Sequence, residues 1–529
     1  MTLSHRWGAE TFKLQQSTQG NMLRGLPVSV LPGTYQDAVR VARRFNVRYL
    51  WIDSICIFQD ERLDIQNEAS MMAEVFGNAT CNISALSGRH DSLFCTRVPD
   101  VVNSDCVLLE AQACNLRQSY LLNDLQLWRG ELLHMPLTTR GWVLQEELLA
   151  PRTIYFGNRQ VLWDCAGFRA CETYPVMQQK RPLHVPPEFN DKTNFLHDEE
   201  IGPIASVLRV AKASVQTPYS ESDVHERQQM LFDVWTRLVA HYSLRELTFP
   251  TDKLLAIAGV SKLFGTVMQD QSVAGLWRRH LMDSLLWYVR ANTSTSRPLE
   301  YRAPSWSWAS NDGYVLHAEP FSMPWTVARA LNAECETEGG GEYGVVVSAR
   351  LRLQAALLCM SIDHDGNWTA SNGRFSEKLS IRKMPRLIVR LDTTEDLSRL
   401  TGMLGAIIRT TAYRLTDTAS GSGDTTVNGK ILLAAHGIIL APVKAAVRDI
   451  ADDCISQSNM TLAAATEFRR VGYFALEDRR SGSLTPKWVP EGCRIFHGPL
   501  GQGVDGQGRR LKEFDFDGQS QWLKVVDIV

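Results

Sequence analysis

The chain has 529 residues, of which 44% are hydrophobic and 22% charged, which is enough for two to four domains of an ordinary globular protein. Its 56 basic and 58 acidic residues give a net charge of −2, which argues against a broad nucleic-acid or anionic-membrane surface. A transmembrane helix needs about 18 consecutive apolar residues, and no such run occurs. The eleven cysteines, an odd number without regular spacing, fit reduced thiols, so we expect a cytoplasmic protein.

The first 175 residues alternate between helix-like and strand-like segments. Residues 34–45 are amphipathic and predict a helix, and the apolar residues 47–58 predict a buried strand. Residues 61–77 predict a second helix, and residues 81–88 predict a second strand. Long apolar strands alternating with helices are typical of a parallel sheet covered on both faces, so we predict an α/β sandwich.

The remaining chain changes character twice. Residues 139–149 predict a short helix that ends before Pro151, and residues 152–165 predict two strands joined at Gly157 and Asn158. Residues 176–203 contain four prolines and many charges, which indicates a linker. We predict a helical region over residues 204–315 and a β-rich C-terminal region over residues 316–529.

An aspartate lies within the apolar run WIDSICIFQD, at Asp53. A buried carboxylate costs several kcal/mol unless it is paired or hydrogen-bonded. Asp53 therefore either caps a neighbouring loop, or pairs with an arginine such as Arg48 or Arg140, or takes part in catalysis. Gln59 lies towards the carboxyl end of the predicted strand, where ligands bind in open α/β sheets.

The helix predicted over residues 61–77 carries a second candidate acid. Glu68 falls at the edge of the predicted buried stripe, where a carboxylate is partly desolvated and still reaches a cleft. Glu74 falls on the opposite side and is predicted to be solvated. Glu68 is thus a candidate for acid–base chemistry, the alternative being a capping or salt-bridge role. The predicted stripe consists of Ile65, Ala69, Met72 and Phe76.

Two further segments contribute polar and aromatic residues. Ser4 and Trp7, in the turn LSHRWG, are predicted to line the same crevice, although Trp7 equally fits a packing role. Arg140 and Glu146, in RGWVLQEELLAPR, are predicted to form structural ion pairs. No HExxH motif occurs and the cysteine spacing does not suit zinc, so we predict no metal site.

Together these motifs resemble the fungal heterokaryon-incompatibility (HET) domain. The family pattern includes an aLSYcWG turn, a YLWIDSLCIxQD strand, an ExxxM helix and an RxWxLQExxLxPR segment, which correspond here to residues 3–8, 49–60, 68–72 and 140–152. The resemblance covers about residues 1–175, and weaker likeness extends to about residue 315. The family tyrosine is replaced by His5, which Arg6 follows. Because relatives have residues upstream of the first motif, we expect a truncated first strand.

The resemblance implies a role in nonself recognition and cell death, exerted through self-association or protein partners. It also implies a TIR-like, flavodoxin-like sandwich. Since some TIR domains cleave NAD+ with a helical glutamate, it suggests NAD+ as a substrate, with no required cofactor. Glu68 and Asp53 would then be catalytic, and Ser4, Trp7 and Gln59 would bind the nucleotide. A repurposed role in small-molecule biosynthesis is a further alternative.

Overall fold

The structure is a computed structural model of the chain, and it divides into two compact units, Met1–Asp270 (unit 1) and Gln271–Val529 (unit 2). The predicted linker, residues 176–203, lies outside the described residues except for 178–179. The structure describes residues 1–8, 12–87, 92–94, 107–113, 116–122, 132, 135–165, 168–173, 178–179, 221–290, 297–318, 325–326, 328–362, 368–371, 386–393, 403–415, 430–443, 467–478 and 523–529.

Unit 1 combines strands and helices, as the alternating pattern predicts. Its strands are β1 (Thr2–Ser4), β2 (Trp51–Ile52), β3 (Asn82–Ala85), β4 (Val107–Ala113), β5 (Leu116–Leu122), β6 (Arg152–Phe156), β7 (Val161–Cys165), β8 (Phe168–Cys171) and β9 (Gln178–Gln179). Its helices are α1 (Gln16–Leu23), α2 (Gly33–Arg44), α3 (Asp53–Cys56), α4 (Arg62–Asn78), α5 (Val143–Leu149), α6 (Glu221–Ser243) and α7 (Ala258–Met268). Short 3-10 helices span Val28–Val30, Pro250–Lys253 and Leu255–Ile257.

Seven strands form one sheet in the order β2-β1-β3-β6-β7-β8-β9. The pairs β1–β2, β1–β3 and β3–β6 are parallel, whereas β6–β7, β7–β8 and β8–β9 are antiparallel. β1, only three residues long, lies between β2 and β3. From β1 the chain leads to β2 on one side of it, and from β2 it leads to β3 on the other side of β1. The carboxyl ends of the four parallel strands consequently meet at one edge of the sheet.

The two faces of this parallel part differ in polarity, because side chains alternate along each strand. Leu3 pairs in register with Ile83, and both lie in an apolar cluster with Tyr35 and Ala38 of α2. Thr2 and Ser4 alternate with Leu3 along β1. Their register partners on β3 are Asn82 and Ser84. These four polar residues are at most 1% exposed, so the second face is a buried polar layer.

Most of the local predictions for the first 175 residues are confirmed. α2 and α4 correspond to the two predicted helices, and β3 corresponds to the strand predicted within residues 81–88. β6 and β7 form the predicted hairpin, closed by a hydrogen bond from the Gly157 N–H to the Gln160 carbonyl. Glu74 is solvated as predicted, with 70% of its side chain exposed.

The strand predicted over residues 47–58 is wrong in extent. β2 contains only Trp51 and Ile52, and a helical turn begins at Asp53. The Asp53 carboxylate accepts the backbone N–H of Ser54 at 2.7 Å, a local side-chain bond that competes with strand pairing. Asp53 therefore lies just past the carboxyl end of a strand instead of inside one.

The predicted stripe on α4 is confirmed for Ala69, Met72 and Phe76, which are at most 8% exposed, and wrong for Ile65, which is 39% exposed. The contacts of α4 come from its later turns. Ala73 faces Gly259 of α7, and the Met72 sulfur accepts a hydrogen bond from Gln145 of α5. Ile65 lies in the first turn, before these contacts begin.

Unit 2 is β-rich, which agrees with the prediction for residues 316–529. Its first part, up to residue 315, was predicted to be helical, but its described residues include short strands and one four-residue α-helix. The strands are β10 (Ser272–Val273), β11 (Leu276–Trp277), β12 (Trp287–Val289), β13 (Val315–His317), β14 (Trp325–Thr326), β15 (Arg329–Thr337), β16 (Val346–Ile362), β17 (Trp368–Ser371), β18 (Arg386–Leu391), β19 (Met403–Leu415), β20 (Lys430–Pro442), β21 (Glu467–Asp478) and β22 (Leu523–Ile528). The core sheet has the order β14-β19-β20-β21-β22-β16-β15, with β17 and β18 paired to its members. Helix α8 (Leu281–Ser284) and 3-10 helices at Trp308–Ser310 and Glu338–Gly340 complete it.

A buried ion pair anchors unit 2. The Arg470 guanidinium is fully buried, bonds the Asp392 carboxylate at 3.1 Å and lies 3.5 Å from the ring centroid of Trp287. Arg470 also donates to the backbone carbonyls of Leu285 and Trp287. A buried charge is tolerated only with such complete pairing. Because β12 and β21 both contribute, the pair ties the start of unit 2 to its last strands.

We expect Gly259→Ala to destabilise unit 1. An added Cβ at Gly259 would lie 2.5 Å from the Ala73 Cβ, so α7 and α4 would have to move apart. Overpacking of this kind typically costs about 1–3 kcal/mol. The measurement is the midpoint of urea unfolding followed by circular dichroism.

The matched control for that substitution is Gly77→Ala. Gly77 lies in α4, and an added Cβ there meets no atom within 4 Å. Alanine is favoured over glycine in helices by up to about 1 kcal/mol, so this variant should match or exceed wild-type stability. Equal midpoints for Gly259→Ala and Gly77→Ala would contradict the close helix contact.

Candidate functional site

A cluster of polar and aromatic side chains lies at the carboxyl ends of β1 and β2. His5 and Trp7 follow β1, and Asp53 follows β2. In open α/β sheets, ligands bind outside the carboxyl ends of the strands, where the strand order reverses. The cluster is adjacent to that point, since β1 is flanked by β2 and β3.

Asp53 is the centre of the cluster. One carboxylate oxygen accepts the Trp7 indole N–H at 2.9 Å, and the other accepts the Ser54 backbone N–H at 2.7 Å. The Nδ1 atom of His5 lies 3.7 Å from the latter oxygen. The side chain remains 22% exposed, so the carboxylate is both held in place and open to solvent.

The arginines proposed as partners of Asp53 have other contacts in the structure. The Arg48 guanidinium lies over the ring of Tyr49, 5.5 Å from its centroid. Arg140 donates to the backbone carbonyl of His5 at 2.5 Å and so secures the turn after β1. Asp53 is thus held by an indole and a backbone amide, and Arg140 acts on the turn that carries Trp7.

Behind Asp53 lies a chain of buried hydrogen-bonding groups. The Tyr35 hydroxyl is 2.8 Å from His5 Nε2 and 2.7 Å from the Ser54 hydroxyl. The His5 and Tyr35 rings meet edge to face, with centroids 5.0 Å apart. Burial raises the pKa of Tyr35 to about 12, so its hydroxyl keeps its proton at neutral pH.

Trp7 and Gln59 frame the site differently. Trp7 is half-buried, and the Lys13 ammonium lies 5.2 Å from the centroid of its ring. Gln59 donates its side-chain amide to the backbone carbonyls of Asp53 and Ile57, at 3.1 and 3.0 Å. Gln59 therefore fixes the backbone around α3, whereas the Trp7 ring carries a cation on one face.

Glu68 lies on α4 and is partly buried. Burial raises its pKa, and the negative charge of Asp64 adds to the rise. Partial desolvation also raises the pKa of the Cys56 thiol, and the negative charges of Asp53 and Glu68 add to the rise. Both candidate acids therefore lie near this residue at the end of α3. The catalytic role of Glu68 stays a prediction.

Ser4 lies beneath the site. It is 1% exposed and exchanges hydrogen bonds with Asn82, whose side-chain oxygen also accepts the Thr2 hydroxyl. Ser4 also bonds the carboxyl group of Glu146 on α5. In this position Ser4 supports the strand end from the polar layer, and its predicted contact with a nucleotide stays untested.

Glu146 is an acid buried in the polar layer. Burial raises its pKa to about 7, and the nearby Asp53 charge pushes in the same direction. The Ser4 hydrogen bond and the Arg140 charge oppose this rise. The next residue, Glu147, is paired with Arg245 at 3.0 Å, and both side chains are 6% exposed. The structural ion pair predicted on α5 is therefore made by Glu147, whereas Glu146 bonds a serine.

The arrangement suits chemistry on a polar organic ligand. A partly exposed carboxylate fixed by donors can accept a hydroxyl hydrogen or face a developing positive charge. The half-buried Trp7 ring offers a stacking surface. Within the described residues, no group of three or more histidine, cysteine or acidic side chains is arranged to hold a metal ion. No helix in those ranges combines the length and apolarity needed to cross a membrane.

Three residues of the cluster were not selected from the sequence as site residues: His5, Tyr35 and Glu146. The sequence signal for His5 is that it stands where the family pattern has a tyrosine. Tyr35 looked like one apolar member of an amphipathic helix, and its hydroxyl partner lies nineteen residues away. Glu146 stood beside an arginine in the sequence, and only the fold shows that it reaches Ser4.

These residues thus form a mixed α/β unit with a polar site at the carboxyl ends of its parallel strands. Residues 1–146 match the family model described as heterokaryon incompatibility protein (HET). This match confirms the HET domain predicted from the motifs and supports a role related to heterokaryon incompatibility. Searches of curated proteins and of solved structures gave no significant match to the chain.

We expect Glu146→Gln to change the pH dependence of stability. A carboxyl group whose pKa is raised on folding stabilises the folded state below about pH 4.5, and this contribution is lost as the pH rises through about 7. The glutamine variant cannot ionise. Its stability relative to wild type should therefore rise by roughly 3 kcal/mol between about pH 5 and pH 8. Urea unfolding at several pH values measures this.

Glu147→Gln is the matched control on the same helix. It removes the partner of the buried Arg245 guanidinium, which should destabilise unit 1 by roughly 3–5 kcal/mol at neutral pH. At neutral pH the change to glutamine should thus lower stability at Glu147, whereas at Glu146 it should become more favourable as the pH rises. Parallel stability profiles for wild type and Glu146→Gln would show that burial does not raise the pKa of Glu146.

Proposed function

We propose that this protein is a cytoplasmic effector of fungal nonself recognition that triggers cell death through a ligand or partner bound at the Asp53 site. The HET match over residues 1–146 supports the biological context. The polar cluster lies within the same residues. In this proposal, binding at the cluster changes how unit 1 associates with other copies or with protein partners.

The observation that carries the proposal is the Asp53 carboxylate itself. It is fixed by Trp7 and by the Ser54 amide, remains partly exposed, and lies at the carboxyl ends of parallel strands. The parallel strand order β2-β1-β3-β6 corresponds to the first four positions of a flavodoxin-like sheet, in which nucleotides bind beside the first strand. This order supports the TIR-like interpretation by analogy of fold.

We expect Asp53→Asn to abolish cell death upon induced expression in a filamentous fungus. The substitution removes the charge and replaces one of the two acceptor oxygens, so the Trp7 N–H and the Ser54 N–H cannot both be satisfied. The measurement is the fraction of hyphal compartments stained by a vital dye, at matched protein levels.

The control for that experiment is Glu74→Gln, which removes one acidic charge from an exposed position on α4. It should kill as wild type does. If Asp53→Asn also kills as wild type does, the site does not carry the response. If the wild-type protein itself causes no death, the effector role is wrong for this chain.

A second candidate function is cleavage of NAD+. The specific observation in its favour is the placement of two carboxylates, since Asp53 is partly exposed beside Trp7 and Glu68 is partly buried on α4. In such a reaction the bond between nicotinamide and ribose breaks, and nicotinamide leaves with the bonding electrons. Glu68 would stabilise the resulting ribosyl cation or hold its 2′-hydroxyl, and Trp7 would stack on a base. Water then attacks the ribosyl carbon, and its proton passes to a carboxylate.

For this candidate we expect purified wild-type protein to release nicotinamide from NAD+, and Glu68→Ala to lower the rate by roughly 100-fold or more. Chromatography of the reaction mixture measures the product. Glu74→Ala, on the solvated side of the same helix, should retain the wild-type rate. Folded wild-type protein that gives no turnover at high concentration would exclude NAD+ cleavage and leave the effector role to be decided by the cell-death assay.

A further inference from the structure

His5 connects the exposed acid of the site to two buried hydroxyl groups. Its Nδ1 atom faces the Asp53 carboxylate at 3.7 Å, and its Nε2 atom lies 2.8 Å from the Tyr35 hydroxyl. The Tyr35 hydroxyl continues to the Ser54 hydroxyl at 2.7 Å. The four side chains therefore form one continuous line, which starts at Asp53 of α3, passes through His5 and through Tyr35 of α2, and returns to α3 at Ser54.

The negative charge of Asp53 selects the histidine tautomer. Tyr35 and Ser54 each have one hydroxyl proton, and a neutral imidazole carries one N–H. If Nε2 carried the proton, the bare nitrogen lone pair at Nδ1 would face the negative Asp53 carboxylate. If Nδ1 carries it, the imidazole donates towards Asp53 and Tyr35 donates to Nε2. Ser54 then donates to Tyr35, and each contact has one donor and one acceptor.

Burial shows which member of the line meets a ligand. His5, Tyr35 and Ser54 are 6%, 2% and 0% exposed, whereas the Asp53 side chain is 22% exposed. The raised pKa of Tyr35 keeps its hydroxyl protonated and able to donate. The His5 ring is buried and held against Tyr35, so the imidazole has little freedom to turn away. Any effect of His5 on a ligand therefore passes through Asp53.

We propose that His5 is a positioning residue for Asp53, held in the Nδ1–H tautomer by Tyr35 and Ser54 so that its N–H points at the carboxylate. This inference rests on the proposed function insofar as Asp53 acts on the bound ligand. A long Nδ1–carboxylate distance is expected without ligand, because hydrogen bonds in such sites tighten when the ligand binds.

Two amide variants of His5 distinguish a positioning role of this residue from a packing role. The amide nitrogen of asparagine occupies the place of Nδ1, so His5→Asn keeps a donor towards Asp53 and loses the Tyr35 contact. The glutamine amide reaches the place of Nε2, so His5→Gln keeps the Tyr35 contact and loses that donor. Positioning predicts that His5→Asn retains cell death and His5→Gln loses it. Packing alone predicts the reverse order, because glutamine fills more of the space.

A spectroscopic measurement tests the inference without any activity. In protein labelled with ¹⁵N-histidine, at about pH 8.5 and thus well above the ordinary histidine pKa of about 6.5, the ring nitrogen shifts report the tautomer. The His5→Gln spectrum assigns the His5 signals by their absence. We expect the Nδ1–H form in wild type, and a mixture of forms in Tyr35→Phe, where the donor to Nε2 is lost.

The outcomes are distinguishable. A dominant Nε2–H tautomer in wild type would overturn the inference, as would equal loss of cell death in both amide variants with unfolding midpoints at the wild-type value. A wild-type protein with the Nδ1–H tautomer but no cell-death response would refute the proposed function and leave the placement of His5 intact. The Nδ1–H tautomer together with activity in His5→Asn alone supports both.

Discussion

Buried polar atoms need hydrogen-bond partners, and in unit 1 this requirement falls on one face of the parallel sheet. Thr2, Ser4 and Asn82 line that face and are almost completely buried. They satisfy one another, and Ser4 extends the network to Glu146 on α5. Glu146 brings a further polar group from α5 to this layer, and a buried hydrogen-bonding group without a partner costs about 1–3 kcal/mol. The polar layer therefore favours a covering segment that carries polar side chains.

The location of the site follows from the same constraint. Because α5 covers the polar face and α2 the apolar face, the strand ends are the open edge of the parallel part of the sheet. The short β1 and β2 end at Ser4 and Ile52, so their next residues project from that edge. Asp53 is thereby placed between a buried histidine and a half-buried tryptophan without a long loop.

Patterns within a short stretch of sequence were sufficient for α2 and α4 and for the hairpin after Pro151. They placed Glu74 in solvent and most of the α4 stripe in the core. They failed at Asp53, where a side-chain bond to the Ser54 amide ends the strand in a segment whose apolar composition favours one. They failed at Ile65 because periodicity does not tell which turns of a helix meet a neighbour.

The candidate site was predictable only in part, for a related reason. Asp53 and Trp7 were selected as site residues, and the structure joins them by a hydrogen bond. His5, Tyr35 and Glu146 contribute through contacts between segments far apart in sequence, and no local pattern encodes those distances. Glu146 and Glu147 illustrate the limit, since two adjacent identical residues have different partners.

The burial of helix α5 limits how this helix can move. Six of its seven residues are buried, so it has no solvent-facing side along which it could slide or detach. Releasing it would expose the polar layer, the Arg245 pair and the contact with α4 together. Its opening is therefore coupled to unfolding of unit 1 as a whole. In the function proposed above, a signal therefore reaches unit 1 at the strand ends and on the Trp7 turn, because α5 cannot open by itself.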